Sequence, residues 1–277
     1  VTTEALSDPS PSIRGMDLES LRGEDVRLPA GRVVAVEGGG GAPSLWLSDG
    51  PAPFGVWGRI RAAHPRTGLW PLLLEPLGDG ADFRPWGSGE LFAGTSRPAD
   101  HEPAAVLARW WDDCVSDDGD DGGDDGVAVT APYGLVWPGL ASGRAPAEDP
   151  DGLAAEHADV FLSFGGEARL GLVEAASGAE ALAAAGWSGP VNHAETAEIA
   201  AVVADWERRF GARVFAVGFA TLRLSVAAPP ATLEEALPIA AEHFAFCPDN
   251  VWQGSVQDLA AYAEHLVGAD VWTFWWD

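Results

Sequence analysis

A mixed α/β (α+β) fold is predicted for this chain of 277 residues by three observations. From about residue 160 onward, apolar stripes at helical spacing alternate with short apolar runs bounded by turn residues. Two of the helical stretches open with a Ser/Thr-x-x-Glu capping box. The closing run Val271 to Trp276, VWTFWW, is apolar on both faces, as a central strand is. A C-terminal domain over 160–277 is therefore expected, a mixed sheet flanked by helices with the C-terminal strand at its centre. Apolar runs before residue 150 are mostly strand-like, which predicts a smaller, strand-rich N-terminal region over 31–150.

Residues 1–30 are polar and weakly periodic and read as a loose arm, with at most a helical turn near Leu18 to Leu21. Arg32 to Glu37 carries a buried-type strand, VVAV, that runs into Gly38 to Gly41. Pro43 breaks the GxGxxG register there, so a hairpin loop is expected rather than a dinucleotide turn. Leu45 to Leu47 and Gly68 to Leu77 continue as strands, the second pushed toward an edge or a bulge by Pro71. Between them Arg59, Arg61, His64 and Arg66 form a basic cluster, read as a solvated strand face with an anion site as its rival.

Pro103 to Cys114 has helical spacing, with Asp100 as a candidate cap. The run SDDGDDGGDDG at 116–126 reads as a disordered acidic loop. It lacks the ordered ligand positions and closing Glu of a calcium loop. Residues 127–151, rich in Pro, Gly and Ala, are the candidate boundary.

Beyond it, Arg169 to Glu174 is a strand, and Ser177 with Glu180 opens a short helix. A longer helix after Asn192 carries Ile199, Val202, Val203, Trp206 and Phe210 on its apolar stripe and stops at Gly211. Arg213 to Gly218 and Thr221 to Ala227 read as a hairpin. Thr232 with Glu235 opens a helix whose apolar face reaches Cys247, and Pro238 within it predicts a kink or a late start. A last helix is expected from Val256 to Val267, opened by Ser255 and stopped at Gly268.

The 42 acidic residues face 16 arginines and no lysine, leaving a formal charge of -26. Phosphate neutralisation needs basic side chains, so nucleic acid and anionic membrane surfaces are disfavoured as partners. A chain without lysine cannot be a Walker A enzyme, a Schiff-base enzyme or a Ser-Lys hydrolase. Two cysteines provide no disulfide framework, and no uncharged apolar run approaches the roughly 20 residues of a membrane span. A cytoplasmic protein without a cofactor is expected.

The densest group of chemically capable residues is Glu242 to Gly254, EHFAFCPDNVWQG. His243 and Cys247 are four apart, so on a helix they share a side, and Asp249 is placed to orient the imidazole in a Cys-His-Asp set. The same Cys247 continues an apolar stripe, where a thiol is inert packing, and Pro-Asp-Asn reads equally as a helix stop. Asn250, Trp252 and Gln253 beyond the stop, with Trp276, are candidate binding residues. Neither CxxC nor HExxH occurs, so no metal site is expected. GWSGP at 186–190 approaches G-x-S-x-G but lacks its last glycine and its preceding strand.

The motifs RLGLVEA, GWSGPVNH, WERRFGA, HFAFCPDNVWQG and VWTFWWD, in that order over residues 169–277, resemble the actinobacterial family called domain of unknown function 4253. The resemblance implies where the C-terminal domain lies and brings no activity or catalytic residue with it. Acidity, tryptophan content and the lack of a complete catalytic motif favour a non-enzymatic module that binds a basic protein, as an immunity protein meets a nuclease toxin. The alternative is a small thiol enzyme using Cys247 with His243.

Overall fold

The computed structural model describes residues 16–24, 26–36, 43–78, 83–116, 125–164 and 167–277. The four-glycine run, read above as a hairpin loop, residues 117–124 of the acidic run and residues 1–15 lie outside these. The elements are α1 (Glu19–Gly23), β1 (Gly31–Ala35), β2 (Pro43–Pro51), α2 (Val56–Thr67), β3 (Leu69–Leu74), α3 (Pro103–Ser116), α4 (Asp125–Val129) and α5 (Pro150–Ser163). They continue with β4 (Arg169–Glu174), α6 (Gly178–Ala184), α7 (Thr196–Phe210), β5 (Ala212–Val217), β6 (Thr221–Val226), α8 (Leu233–Phe246), α9 (Asp249–Trp252), α10 (Leu259–Leu266) and β7 (Val271–Trp275).

Among the described residues, one seven-stranded mixed sheet runs β1-β2-β4-β3-β5-β6-β7. Only β3 and β5 are parallel neighbours, with Leu73 opposite Ala216 and Leu74 opposite Val217. β3 is thus inserted between β4 and β5, and the sheet is continuous through the N-terminal and C-terminal segments. Two cores sandwich it. Val56, Trp57 and Ile60 of α2 pack with Ala154 and Ala158 of α5 against one face. Stripes from α3, α6, α7 and α8 cover the other, with Trp206, Phe244 and Phe246 at the centre. No helix among the described residues is long and apolar enough to cross a membrane.

Three strand expectations change. The basic cluster lies on α2, a helix that buries Val56, Trp57, Ile60 and Ala63 at helical spacing and starts and stops at left-handed Gly55 and Gly68. Its arginines then point to separate partners: Arg61 to Asp151 at 2.9 Å, Arg66 to Glu24, and Arg59 to the Phe54 carbonyl. β3 is interior despite Pro71, because parallel pairing to β5 starts only at Leu73, and the Trp70 indole donates to the Val214 carbonyl at 3.3 Å ahead of it. β7 is an edge strand, not the central one. Trp272, Phe274 and Trp276 are buried, whereas Thr273 on the opposite face is exposed.

Several helix limits also differ. Glu102, not Asp100, caps α3 by accepting from Ala105 N at 2.7 Å. α10 begins at Leu259, where Asp258 accepts from Ala261 N at 2.7 Å, three residues later than expected. Pro238 lies inside α8, which still starts at Leu233 behind the Thr232 cap, so no late start occurs. α5 occupies a stretch for which no helix was expected, because its buried face is built of alanine.

Candidate functional site

The segment 242–254 joins α8 to α9 beside the outer edge of β7. Trp276 N donates to Ala220 O, and Asp270 O accepts from Val226 N. The even-numbered residues of β7 therefore pair with β6, and its odd-numbered carbonyls face outward. Asn250 donates through Nδ2 to Thr273 O at 2.8 Å, and Cys247 through Sγ to Trp275 O at 2.9 Å. Two side chains thus satisfy two of the acceptors an edge strand leaves free, those of Thr273 and Trp275, and α9 packs beside that edge.

That geometry decides the chemistry of each predicted residue. His243 is fully buried among Trp206, Trp272 and Phe274, with Nδ1 3.1 Å from Tyr262 Oη. Burial, and secondarily the charge of Arg209, lowers its pKa to about 3, so the ring is neutral. Burial pushes the Cys247 thiol up, which suppresses the thiolate a nucleophile requires. Asp249 accepts from Gln253 Nε2 at 2.8 Å and from Asp277 N at 3.2 Å and is committed there rather than to the imidazole. Asn250 also donates to Tyr262 Oη at 3.1 Å. Trp276 is buried and donates to Phe246 O, whereas Trp252 is 43% exposed and packs edge-on against Phe244. The structure brings His243, Cys247 and Asn250 into the core and leaves Trp252 and Gln253 at the surface.

Glu242, the first residue of the segment, is also buried. It accepts from Trp206 Nε1 and Ala141 N, both at 2.7 Å, and forms two bonds to Arg209. A second charged centre lies at the start of α6. Asp151 binds Arg61 at 2.9 Å and Arg213 at 2.7 Å, and Glu207 accepts from Ala179 N at 3.1 Å. Burial raises the Glu207 pKa to about 7 against the lowering pull of Arg213 and Arg61. Among the described residues no group of three His, Cys, Asp or Glu side chains is placed to hold a metal.

An open cleft with apolar walls lies elsewhere. A cleft of about 700 Å³ forms between residues 92–99, the second half of α6, the turn 187–194 and the first residues of α7. Phe92, Trp187, Val191 and Ala194 give it apolar walls, with Phe92 50% and Val191 70% exposed. Trp187 donates to the carbonyls of Gly218 and Phe219 at 3.0 and 3.2 Å, just beyond β5. This ties the cleft to the carboxyl end of the parallel pair β3 and β5, a location where α/β sheets commonly bind ligands. Gly186 has φ 73°, and a Cβ there would come within 3.0 Å of the Phe92 backbone, so glycine is required where the two segments cross.

Two carboxylates, Glu180 and Glu195, stand among the hydroxyls that line the cleft. The Glu195 carboxylate accepts from the hydroxyls of Thr95 at 3.1 Å and Ser96 at 3.3 Å and meets no cation among the described residues. Glu180 accepts from Ala176 N, and the cleft's one arginine, Arg97, is taken up by Asp100 at 2.7 Å. Sequence reasoning missed this site because its walls come from distant stretches. The available signal was GWSGPVNH, which surrounds the exposed Val191 with glycine and proline turns.

No curated protein and no solved structure matches the chain. Residues 169–277, from β4 through the end of β7, match the family model described as Domain of unknown function (DUF4253).

Proposed function

We propose that this chain is a non-enzymatic, acidic protein-interaction module of the cytoplasm that binds a basic partner protein, in the manner of an immunity protein meeting a nuclease toxin. The supporting observation is the distribution of its charge. Most of the described arginines are held by neighbouring carboxylates, among them Arg32 by Asp49, Arg84 by Glu90, Arg144 by Glu235 and Arg223 by Glu75. Among the described residues, further carboxylates face solvent, among them Glu102, Asp112, Asp113, Glu148, Glu234 and Glu264, and the full sequence carries a formal charge of -26. Such a surface accelerates encounter with a basic protein and repels nucleic acid. A thiol enzyme is the weaker reading, because the Cys247 sulfur is buried and engaged with the Trp275 carbonyl.

The test is affinity capture with the intact chain at about 0.05 M and about 0.5 M salt, where screening lengths differ severalfold. Expected is a basic protein that is recovered at low salt, is depleted at high salt, and binds again when both components are purified. Recovery of no partner, or of one indifferent to salt, would count decisively against the reading.

A further inference from the structure

We infer that the cleft beside Trp187 is the docking site for a segment of that basic partner, seating one apolar side chain of the segment between Phe92 and Val191 while an adjacent Arg or Lys meets Glu195. The inference rests on the acidic-module reading and assigns it a place. Its volume of about 700 Å³ lies in the range of pockets that enclose a compact ligand or a few side chains. Phe92 and Val191 expose apolar surface at its mouth, which an apolar anchor would remove from water.

The charge of the occupant follows from the rim. Glu195 is held by two neutral hydroxyl donors and by no cation among the described residues, so its charge is left for a ligand. Arg97, the local cation, is already bound to Asp100 and offers little to an anion. A guanidinium or ammonium therefore gains at this rim, and a carboxylate or phosphate loses. A second copy of this chain is a poor occupant, since it would bring the same formal charge of -26 and no lysine. A partner segment that pairs an aromatic or aliphatic residue with Arg or Lys fits both walls and rim.

The probe is a peptide selected from a random, displayed linear library on the intact chain at low salt. It is measured by fluorescence anisotropy against the wild type, Ala184→Trp and Glu195→Gln. Ala184 is solvent-exposed and lines the cleft, so tryptophan there fills the cleft from outside the core. Selected peptides are expected to pair an apolar residue with Arg or Lys. Ala184→Trp should weaken them roughly tenfold, and Glu195→Gln by about threefold with a shallower salt dependence. A photoreactive group at the apolar position should cross-link the wild type within residues 92–99 or 187–197, which keeps the test independent of how the variants fold. Basic peptides that bind both variants undiminished and cross-link elsewhere overturn the cleft and leave the acidic module standing. Selection of peptides without a basic residue overturns both.

Discussion

Two regions of this molecule divide what a binding protein needs. Segment 242–254 holds the reactive side chains, and the cleft over 92–99 and 187–197 holds the access. In the first, an imidazole, a thiol and an amide are buried beside an edge strand, and the amide and thiol supply donors that the backbone of β7 lacks. In the second, aromatic and aliphatic walls stand open beneath a carboxylate with only hydroxyl partners. The contrast teaches that a dense run of polar residues can be a device for ending a sheet. A buried donor that satisfies a carbonyl is chemically spent, whereas an exposed Val beside an uncompensated Glu is not.

The largest expected effect tests whether the first region is structural. Glu242 joins α8 to α7 through Trp206 and Arg209 and to the segment before α5 through Ala141 N. Glu242→Ala removes one of the two carboxylates that hold a largely buried guanidinium, the other being Asp205, and leaves Trp206 Nε1 and Ala141 N without an acceptor, so it should cost about 3 kcal/mol of stability. Chemical denaturation measures it. A loss below about 1 kcal/mol would mean that the pair is solvated and the region looser than its geometry indicates.

A pH series separates two of the buried titrating groups, His243 and Glu207. His243, with its folded pKa near 3, holds fewer protons folded than unfolded from there up to the ordinary value near 6.5. Its contribution to stability is therefore lost as pH falls, reaching about 2 kcal/mol by pH 5. Glu207 has the opposite sign. Raised to about 7, it stays protonated in the folded state where the unfolded chain has ionised, so its contribution is lost as pH rises from about 4.5 through 7. The two oppose each other in that window, so their contributions largely cancel in the wild type. Glu207→Gln removes one side and should show a distinctly steeper loss on acidification from pH 7 to 5. Superimposable wild-type and variant profiles would remove Glu207 from the account.

The legible parts of the fold were those set by local chemistry. Ser177 and Thr232 start their helices as N-caps, Gly211 ends α7 at a left-handed φ of 62°, and the stripe from Ile199 to Phe210 is buried throughout. Long-range partners supplied what was illegible. Pro71 argued for an edge, but the Trp70 indole and the late onset of pairing let β3 sit in the interior. VWTFWW argued for the centre, but Asn250 and Cys247 satisfy the Thr273 and Trp275 carbonyls of an edge, so these two need no second neighbour strand. The arginines of 59–66 hid a helix whose apolar stripe is only four residues wide. For the site, Glu180 was legible only as a capping residue. Phe92, Val191 and Glu195 acquire a shared role only once Gly186 and Phe92 cross.

Serine substituted into each region gives the smallest and sharpest comparison. At Cys247 a hydroxyl retains the donor to Trp275 O but places a more polar atom in a closed core, so Cys247→Ser should cost about 1 kcal/mol. At Val191, 70% exposed and outside every helix and strand, Val191→Ser should change stability by less than about 0.5 kcal/mol. Thermal melts of both variants beside the wild type measure the pair. A cost at Val191 equal to that at Cys247 would show that the cleft wall is part of what holds the fold together. A neutral Val191→Ser leaves an exposed apolar side chain that the fold does not need, which is what a surface kept for a partner requires.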